Sequence, residues 1–528
     1  MNGKPVYTKK VSNECKEIIQ NLNDAKMMCY TSDECRNKKI GCLVACLRDQ
    51  QRQEVFDESK KAEIEIEKLF VYDKGVFWKK VRRLKAEASG KQDNSTDGYP
   101  SLDEFAECYS TLFSHDDRQS LIQHKKIEEE VEDYYESLKS CTYDGEKFEY
   151  SDIREAVFTL KRNKAVGVDN ISNEMFFFGL GKSMTDLLLI FYNKIIMYGY
   201  LPDDFNVALV TPIPKKGEMR CPTDFRPISV STSSATVFEL LLLKKMSFIK
   251  ESSNNQFGYK NKTSCNQAYL TVTETIRKFE KDKTKLNVIS LDAKKAFDKL
   301  WRCGLFYKLK QKCDPFVWRV LLLYYKGSKI KVKMKGKTSE CYKTREGCKQ
   351  GGILSPYLFN FFMNDLLIEC LNSGYGAYLY GVNVSVIAYC DDLVLIAGPA
   401  YHMKRLLEIC SSYAINWKIE FNPSKSEWIS FNEENNSMDE FEISGEKIPK
   451  KTEFTYLGLP IGNDATIGEY VEKKFRKVEK AFYSLYSIGC KPNGLHPYTI
   501  GFFYKKFCQS IFRYGLESIF LNETKKKR

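Results

Sequence analysis

The spacing of apolar positions changes along the chain and divides it into segments of different predicted structure. Residues 55–70 place apolar side chains at helical intervals among Glu and Lys, and residues 89–100 are rich in Gly, Ser, Asn and Asp, as a linker is. Helical and strand-like patterns then alternate. The pattern predicts an α+β fold whose segments are an N-terminal helical extension (1–95), a linker and helical segment (96–144), a mixed domain (145–462) and a C-terminal helical domain (463–528).

Two apolar runs in the mixed domain end in acidic residues. LNVISLD predicts a strand that ends at Asp292, and the helical spacing of the residues after it places this acid at a strand-to-helix turn. VSVIAYCDDLVLIA predicts a tight hairpin with Asp391 and Asp392 near its tip. Each pattern alone fits an ordinary helix N-cap or turn. Together, three carboxylates at the ends of neighbouring strands could hold two divalent cations and leave positions for phosphate oxygens.

Composition excludes several classes of protein. The 528 residues are 43% hydrophobic and 29% charged, which is typical of folded domains rather than disordered chains. No apolar run approaches the roughly 20 residues of a membrane span, and MNGKPVYTKK is not a secretory signal, so we expect an intracellular protein of the nucleus or cytoplasm with no membrane partner. With 4 His, catalysis by a Ser-His-Asp or Cys-His arrangement is poorly supported.

Positive charge predicts an acidic partner. Lys and Arg number 82 against 69 Asp and Glu, a formal charge of +13. Five lysines alternate along a strand-like segment, which predicts one basic face: Lys329, Lys331, Lys333, Lys335 and Lys337. In residues 467–486 the apolar positions form one helix face and leave Lys473, Lys474 and Lys477 on the others, so these lysines are candidate nucleic-acid contacts. A charged helix with no ligand is the alternative interpretation.

Three strings, in this order, resemble the reverse transcriptase of LINE-type non-LTR retrotransposons. They are LDAKKAFD at 291–298, KQGGILSPYLF at 349–359 and AYCDD at 388–392. Further strings extend the resemblance to about residues 145–515: KRNKAVGVDNIS, LVTPIPKKG, DFRPIS, QFGYKNKTSCNQA, NPSKSEW and FTYLGLPIG. The order and spacing of the three strings make the match specific, although each string alone is weak.

The resemblance implies a right-hand polymerase with fingers, an antiparallel palm sheet and a thumb. Its activity would be RNA-directed DNA synthesis, extending the 3′-hydroxyl of a DNA primer or target DNA on an RNA template with dNTPs. Asp292 and Asp391 would bind two Mg²⁺ ions, and Asp392 would complete the acidic catalytic cluster. Element RNA in a ribonucleoprotein is the further partner that it implies.

The resemblance also assigns residues to the substrates. Phe297 would lie against the nucleotide sugar and exclude a ribose 2′-hydroxyl. Five other residues would contact the incoming nucleotide, with Lys425 as a candidate general acid: Lys215, Arg226, Gln350, Gly351 and Lys425. The primer grip would be formed by Tyr456, Leu457 and Gly458.

Departures from the family pattern leave alternatives open. Cys390 stands where many relatives carry Ala, and no endonuclease pattern precedes the polymerase strings. We therefore expect the polymerase portion of a longer element with a truncated thumb, or a degenerate copy. The alternative functions are a catalytically silent nucleic-acid-binding remnant, a group II intron maturase-like enzyme and an RNA-dependent RNA polymerase, the last disfavoured by Phe297.

Overall fold

A computed structural model describes residues 60–72, 74–88, 99–114, 120–143, 145–215, 220–433, 439–492 and 494–519, with positions 49, 52, 53 and 57. Most of the predicted linker and much of the predicted N-terminal extension lie outside these residues. The described chain divides into two compact units, one formed within residues 97–467 and a smaller one formed within residues 1–96 and 468–528.

Residues 60–72 are helical. The helices that follow are α1 (Lys74–Ala88), α2 (Leu102–Ser114), α3 (Ile122–Lys139), α4 (Tyr150–Thr159), α5 (Asn173–Gly179), α6 (Lys182–Tyr198), α7 (Ser233–Lys245), α8 (Cys265–Lys281), α9 (Arg302–Lys310), α10 (Pro315–Lys326), α11 (Ser355–Asn372), α12 (Ala400–Trp417), α13 (Asp464–Ser484), α14 (Pro497–Phe503) and α15 (Ser510–Arg513). The strands are β1 (Val207–Pro214), β2 (Phe225–Val230), β3 (Leu286–Leu291), β4 (Lys329–Met334), β5 (Lys337–Thr338), β6 (Tyr342–Lys343), β7 (Tyr378–Leu379), β8 (Val382–Asn383), β9 (Val386–Tyr389), β10 (Asp392–Ala397), β11 (Glu427–Phe431), β12 (Glu442–Ile443), β13 (Glu446–Lys447), β14 (Phe454–Tyr456) and β15 (Leu459–Ile461).

Two sheets organise the larger unit. The first has the order β2-β1-β4-β5, with β6 also paired to β4, and β1 runs parallel to β4 but antiparallel to β2. The second has the order β11-β3-β10-β9, and all of its neighbouring strands are antiparallel. The apolar side chains of β3 and β10 pack in the main hydrophobic core with those of α9, α10, α11 and α12. This core holds the second sheet by its buried central strands.

The two acid-bearing strands were predicted correctly. β3 ends at Leu291, one residue before Asp292, and β9 and β10 form the predicted hairpin, in which Tyr389 pairs with Asp392. Leu291 also pairs with Leu393 across β3 and β10. Asp292, which follows Leu291, and Asp392, which precedes Leu393, therefore lie close together at the ends of neighbouring strands.

The helix predicted directly after Asp292 is wrong, because α9 begins only at Arg302. The intervening backbone closes one turn, from the Lys299 N–H to the Lys295 carbonyl at 2.9 Å, but several of its other groups bond to neighbouring loops. The Phe297 carbonyl accepts from the Cys348 N–H at 2.7 Å, and the Lys294 N–H donates to the Glu420 carbonyl at 2.7 Å. Backbone groups committed to neighbouring loops cannot close helical turns.

The predicted single face of five lysines is also wrong. β4 ends at Met334, and the chain reverses through Lys335 and Gly336, both of which have positive φ, before β5 begins at Lys337. The alternation of lysines therefore stops at the end of β4, which carries Lys329, Lys331 and Lys333. Among the lysines of β4, Lys329 forms an ion pair with Asp204 at 2.7 Å.

Helix α2 covers one face of the first sheet. Its buried residues Phe105, Ala106, Tyr109 and Phe113 pack against Val210, Phe225, Ile330 and Val332. The carbonyl of Phe113 also accepts hydrogen bonds from the Arg345 and Glu346 N–H groups, at 2.7 and 3.0 Å. This helix is therefore an integral layer of the larger unit.

The smaller unit has its own core. Ile66, Phe77 and Val81 from the N-terminal part pack with Leu485 and Phe503 from the C-terminal part. The sequence pattern did not predict this shared core.

Helix α13 departs from its predicted faces at one lysine. Lys473 and Lys477 are exposed, as expected, and Lys473 forms an ion pair with Glu469. Lys474 is buried instead, and its ammonium group donates to the carbonyl of Tyr514. The prediction of an outward-facing Lys474 is therefore wrong, because a backbone acceptor and aromatic rings surround its side chain.

Within the described residues, no individual helix has the length and apolar character needed to cross a membrane. The bent pair of α5 and α6, at 119° to one another, meets the length and composition requirement only when taken together.

Candidate active site

The backbone brings the three predicted acids to one end of the second sheet. Asp292 follows β3, and its position is fixed by two backbone hydrogen bonds: its N–H donates to Ser426 Oγ at 3.1 Å, and its carbonyl accepts from the Asn422 N–H at 2.7 Å. Asp391 lies in the turn between β9 and β10, and Asp392 begins β10. The site is therefore built on strands rather than on a long loop.

Burial acts on all three carboxyl groups, and repulsion from neighbouring acids adds to it at Asp391 and Asp392. Burial raises the pKa of Asp292, against the opposing charge of Lys425. Burial and the charge of Asp292 raise the pKa of Asp391, whereas a backbone hydrogen bond and Arg226 lower it. Burial, followed by the charges of Asp391 and Asp292, raises the pKa of Asp392 to about 6. The cluster therefore favours a proton or a cation.

The chemistry of the donor set fits a divalent metal, since carboxylate oxygens are the hard ligands that Mg²⁺ and similar ions prefer. Among the described residues, however, no three side chains of His, Cys, Asp or Glu converge closely enough to form a complete metal site by themselves. Oxygens from outside the chain would have to complete the coordination. Nucleotide phosphates supply such oxygens.

A cleft of about 1170 Å³ opens beside the acids. Of the residues predicted to contact metal or nucleotide, seven line it: Asp292, Asp391, Lys215, Arg226, Phe297, Gln350 and Lys425. The lining does not include Asp392 or Gly351, which are nevertheless next to lining residues in sequence. Carboxylates and cations therefore face the same space.

The predicted triphosphate residues lie on the first sheet. Arg226 is exposed on β2, opposite Ile213 of β1, and its charge reaches Asp391. Lys215 follows β1 directly, and its ammonium group donates to the Thr223 carbonyl at 2.8 Å. These exposed cations can exchange their present partners for a phosphate at low cost.

The predicted sugar contact has a fixed ring. Phe297 stacks on Phe359 of α11, with ring centroids 4.8 Å apart and planes inclined by 23°. The Phe297 backbone is held through the hydrogen bond to Cys348. The ring is half-buried and lines the cleft, so it can act as a rigid wall.

The loop that carries Gln350 and Gly351 approaches β2 closely. The Gln350 carbonyl accepts from the Ser229 N–H at 2.7 Å. Gly351 has φ +112°, and a Cβ at this position would lie 2.6 Å from the Ser229 carbonyl oxygen. Glycine is therefore required both by the backbone conformation and by the lack of space.

Buried polar side chains hydrogen-bond to the loop that carries Gln350 and to the residues next to it. Glu239 of α7 accepts hydrogen bonds from the Ile353 N–H at 2.7 Å and from the Tyr324 hydroxyl at 2.7 Å. Arg302 donates to the carbonyls of Gly347 and Thr344, each at 2.8 Å. The loop is held by charge-assisted hydrogen bonds, the stronger kind.

Sequence reasoning assigned no role to Asp298. Its side chain is 6% exposed, lines the cleft and accepts a 2.7 Å hydrogen bond from the Gln350 amide nitrogen. Burial raises the pKa of Asp298 to about 6, and the bond to Gln350 is the main opposing effect. The only sequence signal was its place at the end of LDAKKAFD, since its partner lies 52 residues away.

The predicted primer grip forms the β14–β15 hairpin. Leu457 and Gly458, both at positive φ, make its turn. Tyr456 is buried, and its pKa is raised by burial and then by the charge of Asp392. The hairpin therefore lies within electrostatic reach of the acids. The remaining predicted contacts, Lys473, Lys474 and Lys477, belong to the smaller unit.

Comparison with known proteins places these features in a family. Residues 213–461 match the model of the family described as reverse transcriptase (RNA-dependent DNA polymerase). These residues are therefore similar to a reverse transcriptase domain, whose family has a right-hand polymerase fold and generally uses divalent metal ions. The chain is also similar to polymerases of non-LTR retrotransposons, as the motifs predicted.

Three relatives illustrate the similarity. The RNA-directed DNA polymerase from mobile element jockey of Drosophila funebris is 25% identical over 61% of this chain and 36% of its own length. The probable RNA-directed DNA polymerase from transposon X-element of Drosophila melanogaster is 25% identical over 70% and 41%. The Pol polyprotein of element R2DM from the same fly is 30% identical over 42% and 21%. The chain thus spans well under half the length of these relatives.

Replacing Asp392 should stabilise the fold when no metal is present. The pKa of Asp392 is about 6 in the folded state against an ordinary 3.8, so the folded state binds more protons between these values and loses stability as pH rises through that window. We expect Asp392→Asn to raise the thermal midpoint by about 1–3 °C at pH 7.5 in EDTA and to change it little at pH 3.5. The exposed Asp133→Asn in α3 is the control, and equal pH profiles for Asp392→Asn and wild type would contradict the assignment.

Proposed function

We propose that this chain is the RNA-directed DNA polymerase of a non-LTR retrotransposon, which extends a DNA 3′-hydroxyl on an RNA template. The observation that carries the proposal is the convergence of Asp292 and Asp391 with Arg226 and Gln350 on one cleft at the end of an antiparallel sheet. The names of the relatives, RNA-directed DNA polymerases from mobile elements, support the same reaction. Its partners would be the RNA template, a DNA primer or target DNA and dNTPs, with element RNA in an intracellular ribonucleoprotein.

In this proposal residues 145–462 are the fingers and palm, and residues 463–528 are the thumb. The second sheet corresponds to the palm and the β1–β2 pair to the fingers. Asp292 and Asp391 would hold two Mg²⁺ ions, with Asp392 completing the acidic cluster. When bound, these ions would make the primer hydroxyl more acidic and neutralise charge on the leaving pyrophosphate.

The chain's own cations would bind and orient the triphosphate. Lys215 and Arg226 are exposed at the rim of the cleft and would pair with phosphate oxygens. Lys425 is exposed, its charge lowers the pKa of Asp292, and it would donate a proton to the departing pyrophosphate. All three cations are within the cleft lining.

Two rigid contacts would select and place the nucleotide. Phe297, held by its stack on Phe359, would fill the space of a ribose 2′-hydroxyl. Gln350 would bond the nucleotide through its side chain, in an orientation set by Asp298. Gly351 would let the backbone approach the substrate closely.

The primer would be placed from the other side of the acids. The turn at Leu457 and Gly458, with Tyr456 beside it, would hold the 3′-end within attacking distance. Lys473 and Lys477 of α13 are exposed and would contact the phosphate backbone. Lys474 has no place in this role, because its ammonium group is bound to a carbonyl.

Loss of Asp391 should abolish synthesis without abolishing RNA binding. We expect Asp391→Asn to lower primer extension on RNA by at least about 10²–10³-fold, because it removes a carboxylate that would hold the metal ions, and these ions would stabilise the reacting charge. Extension is measured on matched RNA and DNA templates, and binding by fluorescence anisotropy. Asp133→Asn is the control. Equal extension by Asp391→Asn and wild type would refute the metal assignment, and RNA binding without incorporation by wild type would favour the silent remnant.

Truncating Phe297 should admit ribonucleotides. Phe297→Ala opens the space next to the 2′ position, so we expect the preference for dNTP over rNTP to fall by roughly one to two orders of magnitude in kcat/KM. Phe297→Tyr, which keeps the ring, is the matched control and should retain the preference. Unchanged discrimination in Phe297→Ala would refute the steric role.

Removing the Asp298 acceptor should weaken nucleotide binding. We expect Asp298→Ala to raise the KM for dNTP by about 5–10-fold, since Gln350 loses the bond that orients it. Asp298→Asn retains a carbonyl oxygen for the Gln350 amide and should remain within about threefold of wild type. The same KM in Asp298→Ala as in wild type would show that Gln350 is oriented by other contacts.

A further inference from the structure

The turn that carries Asp391 contains a backbone conformation that its residue disfavours. Cys390 has φ +61°, in the left-handed region that favours glycine, and it is one of the two residues between paired Tyr389 and Asp392. Its side chain is buried. A strained residue of this kind keeps its conformation only when neighbouring groups hold it.

Gln256 supplies such a hold from a distant part of the sequence. It is completely buried, and its side-chain oxygen accepts hydrogen bonds from the Cys390 N–H and the Gly258 N–H, both at 2.8 Å. Its backbone pairs with Ala388, and the Phe257 N–H donates to the Ala388 carbonyl at 2.8 Å. Residues 256–258 therefore run alongside β9, and the side-chain amide of Gln256 hydrogen-bonds to the turn that follows this strand.

The geometry fixes which end of the amide faces the turn. Both neighbours are N–H donors, so the oxygen of Gln256 must point toward them. The amide nitrogen is left with no hydrogen-bond partner among the described residues. A buried amide that satisfies the turn while its own nitrogen stays unpaired indicates that the two bonds to oxygen determine its placement.

The segment that carries Gln256 is also held in place by helix α11. Asn360 of α11 donates to the Gly258 carbonyl at 2.7 Å. A Cβ on Gly258 would lie 2.6 Å from the Cys390 nitrogen, so the segment lies directly against the turn and has no room for a larger residue here. Helix α11 follows the Gln350 loop, and the chain of contacts therefore joins the predicted nucleotide loop to the predicted metal-binding turn.

We propose that Gln256 is a positioning residue, which holds Cys390 in its left-handed conformation and thereby fixes the place from which Asp391 presents its carboxylate. This inference rests on the proposed function for its effect on synthesis, but its effect on the turn is independent of activity. Gln256 does not line the cleft, and both hydrogen bonds to its side-chain oxygen come from backbone N–H groups.

The first test measures the turn directly. Gln256→Met keeps the length of the side chain and removes the acceptor. We expect the alkylation of Cys390 by N-ethylmaleimide, followed by peptide mass spectrometry, to become about tenfold faster because the turn opens locally. Cys370, buried in the same unit, is the internal control and should react at the wild-type rate. Equal Cys390 rates in both proteins, or equal acceleration of Cys370, would overturn the inference.

The second test is a double-mutant cycle in primer extension. Glycine adopts positive φ without strain, so the turn in Cys390→Gly should keep its conformation without the hydrogen bond to Gln256. We expect Gln256→Met to lower kcat about tenfold at unchanged KM for dNTP in the wild-type background, and less than threefold in the Cys390→Gly background. The exposed Gln267→Met is the control for the substitution itself.

The outcomes separate the two proposals. A tenfold loss in both backgrounds would overturn the positioning role, because the effect would not act through Cys390. Absence of primer extension by wild type would overturn the proposed function, and the alkylation rates would then decide on Gln256 alone.

Discussion

Repulsion among three carboxylates is the constraint on which the larger unit depends. Asp292, Asp391 and Asp392 each carry a pKa raised by burial, and the charge of Asp292 acts on both of the others. A flexible backbone would let such groups separate and reach water. Here the β3–β10 register sets two of them at adjacent strand ends, and a two-residue turn sets the third. The sheet thus maintains a concentration of negative charge that protons or metal ions relieve.

The charged residues around this cluster of carboxylates are of two kinds. Cations at the rim, such as Lys215, Arg226 and Lys425, are exposed and could exchange partners when an anion binds. Behind the nucleotide loop, Glu239 and Arg302 are buried and committed to backbone groups, so their bonds are costly to break. Adaptable charges therefore face the cleft, whereas fixed charges hold the loop beside it.

The sequence predicted those parts of the site that depend on local pattern. Apolar runs ending in acids located β3 and the β9–β10 hairpin, because a buried strand and a tight turn each have a short-range signature. The helix expected directly after Asp292 does not form, because tertiary hydrogen bonds compete with helical ones. The predicted single face of lysines is interrupted where the chain reverses at Lys335, which the pattern did not predict. The roles of Asp298 and Gln256 depend on partners 52 and 134 residues away, which no periodicity reports. The core of the smaller unit was missed for the same reason.

Helix α2 lies outside residues 213–461, the part of the chain that the family model covers, yet it closes one face of the first sheet. Without it, Val210, Phe225, Ile330 and Val332 would present a continuous apolar surface to water beside the cleft. The boundary of the region that the family model covers is therefore not the boundary of the folding unit. Among distant relatives, the sequence of such a covering helix can diverge while its shape and apolar face are retained, since packing restrains those more than chemical identity.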